Sequence, residues 1–477
     1  MNNKKIVHML TILGTMFMAL VVYLTVIELY YRDEYTSSAL NQRNAARETN
    51  IDRGMIFDRN DIVLAQNSEP KEGEAASRVY PYKNLYSHVI GYSSSTYGKS
   101  LIESAYNEEL LGNTGIWSVS NIKNKLSGNK EQGNDLTLTI DHELQKKANA
   151  LMGKYNGAVV AMNPKTGEIY AMVSKPDFDP DEKNLAENWS ALSDSGNSPF
   201  LTRATTGLYP PGSTFKVITT AAMIENGREN MTYNDTTGVL SIGDKDISNA
   251  SKARYGQTDL VLGFRKSSNV YFANAAMKMT DSMMLETAEE FMFNKKLNFK
   301  FPYSKSRFTT GKMSDGERAM SGIGQGKTLA TPLQLALVAS AIANDGKMMK
   351  PYIVSEISSS AYDIQYTKPS VMAQCIDEQT AHKIKDLMRD AVRSGTGTAA
   401  QIYGIDVCGK TGTAENEKTD EDASKTHAVF IGFAPYDNPQ IAVSVILEYA
   451  GSSGGTIAAP IARGVMQRYF ELYKTNN

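Results

Sequence analysis

The densest run of apolar positions opens the chain: residues 6–27 carry no charged side chain apart from a possible His8, and Lys4 and Lys5 precede them. At about 1.5 Å per residue, such a run of about 22 residues spans roughly 30 Å, the hydrocarbon thickness of a bilayer. It ends in Glu28-Leu29-Tyr30-Tyr31-Arg32, with tyrosines where an interfacial belt would sit and no small-residue cleavage site. The pattern therefore predicts a retained transmembrane helix over 6–28 rather than a removed signal peptide. The lysines ahead of it place residues 1–5 in the cytoplasm and the rest outside. No later segment is long and apolar enough to cross again.

Beyond the anchor the texture is polar up to about residue 133, with short strand-like pieces at 53–57 and 62–64 broken by Asp, Asn and Gly. Residues 29–135 read as a small irregular module, closed by a linker at 126–134. A second pattern starts at 136: a strand over 136–140, then a helix capped by Asp141 and running to about 155. Apolar runs at 157–162 and 168–174 flank Asn163-Pro164-Lys165-Thr166-Gly167 and read as a hairpin. Helical periodicity follows at 213–226, 333–344 and 378–393, then strands at 407–413, 428–434 and 441–447, and a last helix at 460–473. Residues 136–477 thus form an α+β domain. The tyrosines of the 80–92 stretch are assigned to packing rather than to glycan binding.

Composition narrows the function. The 50 basic and 52 acidic residues leave a net charge of −2, without the basic excess of a nucleic-acid binder. Cys375 and Cys408 are too few for a disulfide framework and neither require nor exclude one bridge. The histidines at 8, 88, 142, 382 and 427 have no zinc-ligand spacing, so no metal or cofactor is implied.

The most informative stretch is Tyr209-Pro210-Pro211-Gly212-Ser213-Thr214-Phe215-Lys216. A Pro-Pro-Gly turn delivers a serine to a helix start and sets a lysine one turn later on the same face. A lysine deprotonates a serine hydroxyl only when desolvation or nearby positive charge lowers its pKa, and Phe215, Val217 and Ile218 supply apolar surroundings. The spacing alone is weak, because Ser68, Ser120 and Ser127 also have a lysine three residues on. Lys-Thr-Gly likewise recurs at Lys165 and Lys410, and Ser-x-Asn at Ser127 and Ser195, in turn-like surroundings.

Order in the chain separates them. Ser213-x-x-Lys216, Ser267-Ser268-Asn269 and Lys410-Thr411-Gly412-Thr413 fall at a helix start, a buried-looking segment and a strand, the ordered set of serine β-lactamases and penicillin-binding proteins. Ser267 can relay a proton between Lys216 and an amine, and Asn269 can hold Lys216 and a substrate amide. Lys410 supplies positive charge, the Thr411 and Thr413 hydroxyls can bind a carboxylate, and Gly412 admits a substrate strand. The backbone N–H groups of Ser213 and Thr413 would form an oxyanion hole.

With these residues the chain resembles a short class B penicillin-binding protein, a peptidoglycan D,D-transpeptidase. The resemblance extends to Arg53-Gly54-Met55-Ile56-Phe57-Asp58-Arg59 in the small module, the 157–174 hairpin, Gly324-Gln325-Gly326 with Thr331-Pro332, and Gly454-Gly455 through Pro460. It departs at Asp61 and Leu101, where the family commonly has glycine. The resemblance implies a penicillin-binding fold with an antiparallel sheet flanked by helices, a pedestal-like role for 29–135, acylation by β-lactams, and a multispanning glycan polymerase as partner. A D,D-carboxypeptidase or β-lactamase-like hydrolase with the same serine and lysine, or a catalytically silent wall scaffold, are the rival readings.

Overall fold

The computed structural model describes residues 3–31, 51–69, 77–112, 131–243, 245–359, 362–416, 422 and 425–473. Residues 1–2 of the tail, most of the linker at 126–134, and the rival serines Ser120 and Ser127 lie outside the described residues. Helix α1 (Asn3–Val26) continues in a wider turn through Ile27–Tyr31. Its large apolar side chains stand exposed, Leu13 at 64% and Phe17 at 68%. Its length and apolarity suit it to a bilayer, where lipid rather than protein covers such side chains.

The small module contributes β1 (Ile56–Phe57), β2 (Val63–Asn67) and β3 (Arg78–Val79), and β4 (Asp135–Leu138) follows. β1 pairs in parallel with β4, whose other edge pairs with Val354–Ser359, itself paired with Tyr362–Tyr366. A six-stranded sheet therefore runs without a break across the position where the sequence pattern changes texture. The Arg53–Arg59 motif fastens this junction. Arg53 donates to the Glu103 carboxylate at 2.7 Å and to Asn107, while Arg78 reaches the other Glu103 oxygen at 2.7 Å. The buried Asp58 carboxylate accepts backbone N–H groups of Asn60, Ile62 and His142. Arg59 lies 4.7 Å over the Tyr170 ring, a cation–π contact between module and domain. Both departures from the family pattern sit at left-handed backbone, φ 63° at Asp61 and 49° at Leu101, which explains why glycine suits those positions. Of the tyrosines in the 80–92 stretch, Tyr80 and Tyr86 are buried, Tyr92 is half-buried and Tyr82 is exposed.

Asp141 caps α2 (His142–Met152) by accepting from the Leu144 N–H, and the predicted hairpin forms from β5 (Gly157–Met162) and β6 (Ile169–Lys175). The helix predicted over 213–226 begins as a tight 3₁₀ turn, Gly212–Phe215, before α3 (Lys216–Glu225). Two further helices, α4 (Leu260–Lys266) and α5 (Asn269–Met277), flank the Ser267-Ser268 junction. Helix α6 (Pro332–Ala343) starts on a Thr331 cap with proline at its first turn, and all its residues are buried.

The central sheet is antiparallel in the order β6-β5-β9-β8-β7, with β7 (Cys408–Ala414), β8 (His427–Ala434) and β9 (Ile441–Leu447). Alternation along its strands feeds two cores. Ala158, Val160, Val429 and Ile431 join the α3–α6 side, whereas Val159, Ala161, Phe430 and Val445 join the side covered by α2 and α8 (Ala458–Leu472). A sheet buried on both faces explains strands that read as nearly continuous apolar runs. Helix α7 (Glu378–Ser394) packs beside β7, an edge strand whose outer side has no partner strand among the described residues. Cys375 and Cys408 are both free, buried thiols.

Candidate active site

Ser213 sits half-buried in the 3₁₀ turn because Gly212 adopts φ 53°. The Gly212 N–H donates to the Gly324 carbonyl at 2.9 Å, and a Cβ on Gly324 would lie 2.1 Å from the Gly212 oxygen. A Cβ on Gly212 would lie 2.7 Å from the Thr413 carbonyl, and one on Gly412 would lie 3.0 Å from the Pro211 carbonyl. The Ser213 turn is therefore pressed directly onto β7, and glycine is what permits the approach.

Lys216 projects one turn later into full burial. Its ammonium nitrogen reaches the Ser267 carbonyl at 2.7 Å, Asn269 Oδ1 at 2.8 Å and Ser267 Oγ at 3.4 Å. Lys410, also fully buried, shares the face of Ile431 and reaches the same Ser267 Oγ at 2.8 Å. Two lysines 194 positions apart thus converge on one hydroxyl. Burial pushes Lys410 down to about 7, and burial together with the Lys410 charge pushes Lys216 well below the ordinary lysine value.

The donor count fixes a consequence. A neutral lysine amine has two N–H donors and one lone pair. In that neutral form the Ser267 carbonyl and Asn269 Oδ1 can take both donors of Lys216, and the lone pair then faces a hydroxyl, the Ser267 Oγ at 3.4 Å. Lys410 donates to Ser267 Oγ, so that hydroxyl keeps its own proton free to give. The arrangement can lower the cost of ionising a serine and return the proton later.

The Ser267 segment is held under tension and tied from behind. Ser267 ends α4 in left-handed conformation, φ 56° and ψ 40°, and Ser268 caps α5 by accepting from the Tyr271 N–H. Asn249 Oδ1 accepts from Ser268 Oγ at 3.0 Å and from the Val270 N–H at 3.1 Å, while its amide donates to Asp235 at 2.6 Å. Asn269 also donates to the Ser248 carbonyl at 2.8 Å. Asn249, Asp235 and Ser248 carry no catalytic spacing, so sequence reasoning had no signal for them.

The remaining expected residues divide. Thr413 is exposed at the open edge of β7, available to a ligand. Thr411 faces the Phe430 side, is buried, and its hydroxyl already bonds Thr396 Oγ1 at 2.6 Å. Thr396 follows α7 in Gly395-Thr396-Gly397, and its N–H reaches the Arg265 carbonyl at 3.3 Å, joining the Ser267 wall to β7. Its glycine-flanked position was the only sequence hint of it. Among the rivals, Ser68 Oγ accepts from the Ser77 N–H, Ser195 Oγ closes its own turn onto Asn197, and Lys165 is exposed in the hairpin turn. None of these approaches the Ser267 hydroxyl.

Comparison with known proteins gives the same picture. A family model described as the penicillin-binding protein transpeptidase domain matches residues 157–467, and one for the penicillin-binding protein A dimerisation domain matches 53–136. The chain is 32% identical over 464 residues to the peptidoglycan D,D-transpeptidase PbpA of Mycolicibacterium smegmatis, covering 93% of this chain and 94% of that one. It is 31% identical over 453 residues to the peptidoglycan D,D-transpeptidase MrdA of Acinetobacter baumannii, covering 84% of this chain and 67% of the relative. The fold is similar to penicillin-binding protein A from M. tuberculosis as a ceftriaxone acyl-enzyme, with a TM-score of 0.83 at 28% identity, covering 88% of this chain and 98% of that chain. The penicillin G acyl-enzyme of the same protein gives 0.81 at 29% identity over 88% and 99% of the two chains.

Proposed function

The chain belongs to the penicillin-binding protein transpeptidase family, and from that premise we propose that Ser213 is its nucleophile and Lys216 the base that activates it. The protein is a peptidoglycan D,D-transpeptidase acylated by β-lactams. Ser213 Oγ attacks the penultimate D-Ala carbonyl of a stem peptide as its proton passes to Lys216. The backbone N–H groups of Ser213 and Thr413 stabilise the oxyanion, and terminal D-Ala leaves with a proton relayed through Ser267. The acceptor amine of a second stem then attacks the ester, gives its proton back through Ser267 and Lys216, and frees Ser213. Lys410 and Thr413 bind the substrate carboxylate, Asn269 its amide, and Thr411 with Gly412 shapes the edge along which the peptide lies.

The observation that carries this assignment is the Ser267 hydroxyl shared by two buried lysines beside the Ser213 turn. Residues 29–135 act as a pedestal. The apolar helix anchors the protein, Lys4 and Lys5 set its N-terminus in the cytoplasm, and the catalytic domain stands outside. A multispanning glycan polymerase is the partner this placement calls for, because cross-linking needs nascent strands delivered at the membrane face.

Fluorescent penicillin labelling of the intact protein, with Ser213→Ala alongside, tests the nucleophile: the parent labels and the variant does not. Cross-linking of stem peptides measured against nitrocefin turnover tests the fate of the acyl group. Rapid sustained nitrocefin hydrolysis without cross-linked product would convert the assignment to a hydrolase, and equal labelling of Ser213→Ala would remove Ser213 from the mechanism.

A further inference from the structure

Residues 291–312 form a strap without helix or strand, between helices Asp281–Glu290 and Asp315–Gly322. Loops beyond about 12–15 residues are uncommon inside compact domains and are usually functional when ordered. This one is pinned throughout. Phe293 and Phe308 pack against Phe215 of the nucleophile turn, each with ring centroids 5.5 Å away, and Phe299 and Phe301 are buried as well. Arg307 pairs through its backbone with Leu329, and the next residue, Ala330, pairs with Tyr209. Two strand spacings, about 10 Å, therefore separate the Arg307 backbone from Tyr209, four residues before Ser213.

Between these anchors the strap turns only basic charge outward. It contains Lys295, Lys296, Lys300, Lys305, Arg307 and Lys312, all exposed, and no acidic residue. With the whole chain at −2, everything outside the strap sums to −8. Lys300 is paired with Glu109, Lys295 has Glu290 as a neighbour, and Lys312 has Asp281. Lys296, Lys305 and Arg307 make no ion pair among the described residues. A chain otherwise acidic repels a polyanion, and a basic strip on a segment packed against the Ser213 turn is the face such a ligand approaches.

We propose that the 291–312 strap is a docking surface for the carboxylate-bearing stem peptides of the glycan strand whose reacting stem enters the Ser213 site. The inference rests on the transpeptidase reading and names how the polymer, rather than the isolated peptide, is held. Exposed ion pairs are each worth about twofold, so reversing three charges weakens polymer use by about tenfold or more, with a matching loss of salt sensitivity.

The test uses the full-length protein in detergent, the triple variant Lys296→Glu, Lys305→Glu, Arg307→Glu, and uncross-linked glycan strands with free pentapeptide stems. Fluorescent penicillin, too small to reach the strap, labels parent and variant at rates within twofold. The variant's KM for strands rises about tenfold while kcat holds, and strands whose non-terminal carboxylates are amidated erase the difference between the two proteins. The corresponding triple Gln variant shows an intermediate loss and guards against a folding effect of charge reversal. An unchanged KM, a loss that persists with amidated strands, or a variant defective only in binding anionic vesicles overturns the proposal. Failure of the parent to label with penicillin would instead refute the acyl-enzyme reading itself.

Discussion

Replacing Glu103 by glutamine removes one charge from a buried triad and leaves two guanidinium groups without their counter-ion. Glu103 has no exposed surface and contacts Arg53 and Arg78 at 2.7 Å each. Burial on its own would raise its pKa, but the charges and hydrogen bonds of Arg78 and Arg53 outweigh it and hold the carboxyl at about 2, against 4.5 for a free one. Each pKa unit corresponds to about 1.4 kcal/mol, so ionised Glu103 contributes roughly 3 kcal/mol, consistent with the ~3–5 kcal/mol measured when buried pairs lose one partner. Because the folded value lies below the free one, this stabilisation is complete above about 4.5 and is lost as pH falls towards 2. Glu103→Gln therefore lowers the urea midpoint at pH 7 by about 1 M, for an m-value of about 3 kcal/mol/M. Tryptophan fluorescence follows the transition, and penicillin labelling of the folded protein stays within twofold. A midpoint moved by less than about 0.2 M at pH 7 would refute the triad as a source of stability.

The second-order rate of acylation by penicillin should fall as pH rises through about 7, where buried Lys410 loses its charge; a flat profile from about 6 to 9 contradicts its assigned role. Asn249→Leu unties Ser268 and Val270 and leaves Asp235 facing an apolar group, so it should cost about 2–4 kcal/mol and slow acylation at least tenfold, measured by denaturation and labelling. Gly324→Ala places a methyl group on the Gly212 carbonyl at φ 73°. It should lower stability by about 1–3 kcal/mol in a thermal melt and slow acylation more than tenfold, and normal labelling with an unchanged melt would show that the turn has slack. Asp61→Gly relieves left-handed backbone at φ 63° and should raise stability by up to about 1 kcal/mol in a thermal melt.

Local pattern was enough for a good deal of this protein. Helix α1 follows from an uncharged run, the β5–β6 hairpin from two apolar stretches around a turn, α2 from the Asp141 cap next to a periodic segment, and α6 from its periodicity. Ser213, Lys216, Ser267, Asn269 and Lys410 could be named because each lies in a short motif and the motifs occur in order. These features depend on residues within a few positions of one another, where chain geometry alone sets the spacing.

Contacts between distant residues required the fold. Sequence assigns Lys410 a positive charge; only burial beside Ser267 lowers its pKa to about 7 and makes it share a hydroxyl with Lys216. Thr411 and Thr413 share one face of β7 and look equivalent along the chain, but the distant Thr396 leaves one hydroxyl bonded and buried and the other exposed. Asn249 and Gly324 acquire their roles from segments roughly 20 and over 100 residues away. The change of texture near residue 135 is real in composition, yet strand pairing carries one sheet straight across it. Hydrogen bonding and desolvation act through space, so their partners are settled only when the sheet and helices bring them together.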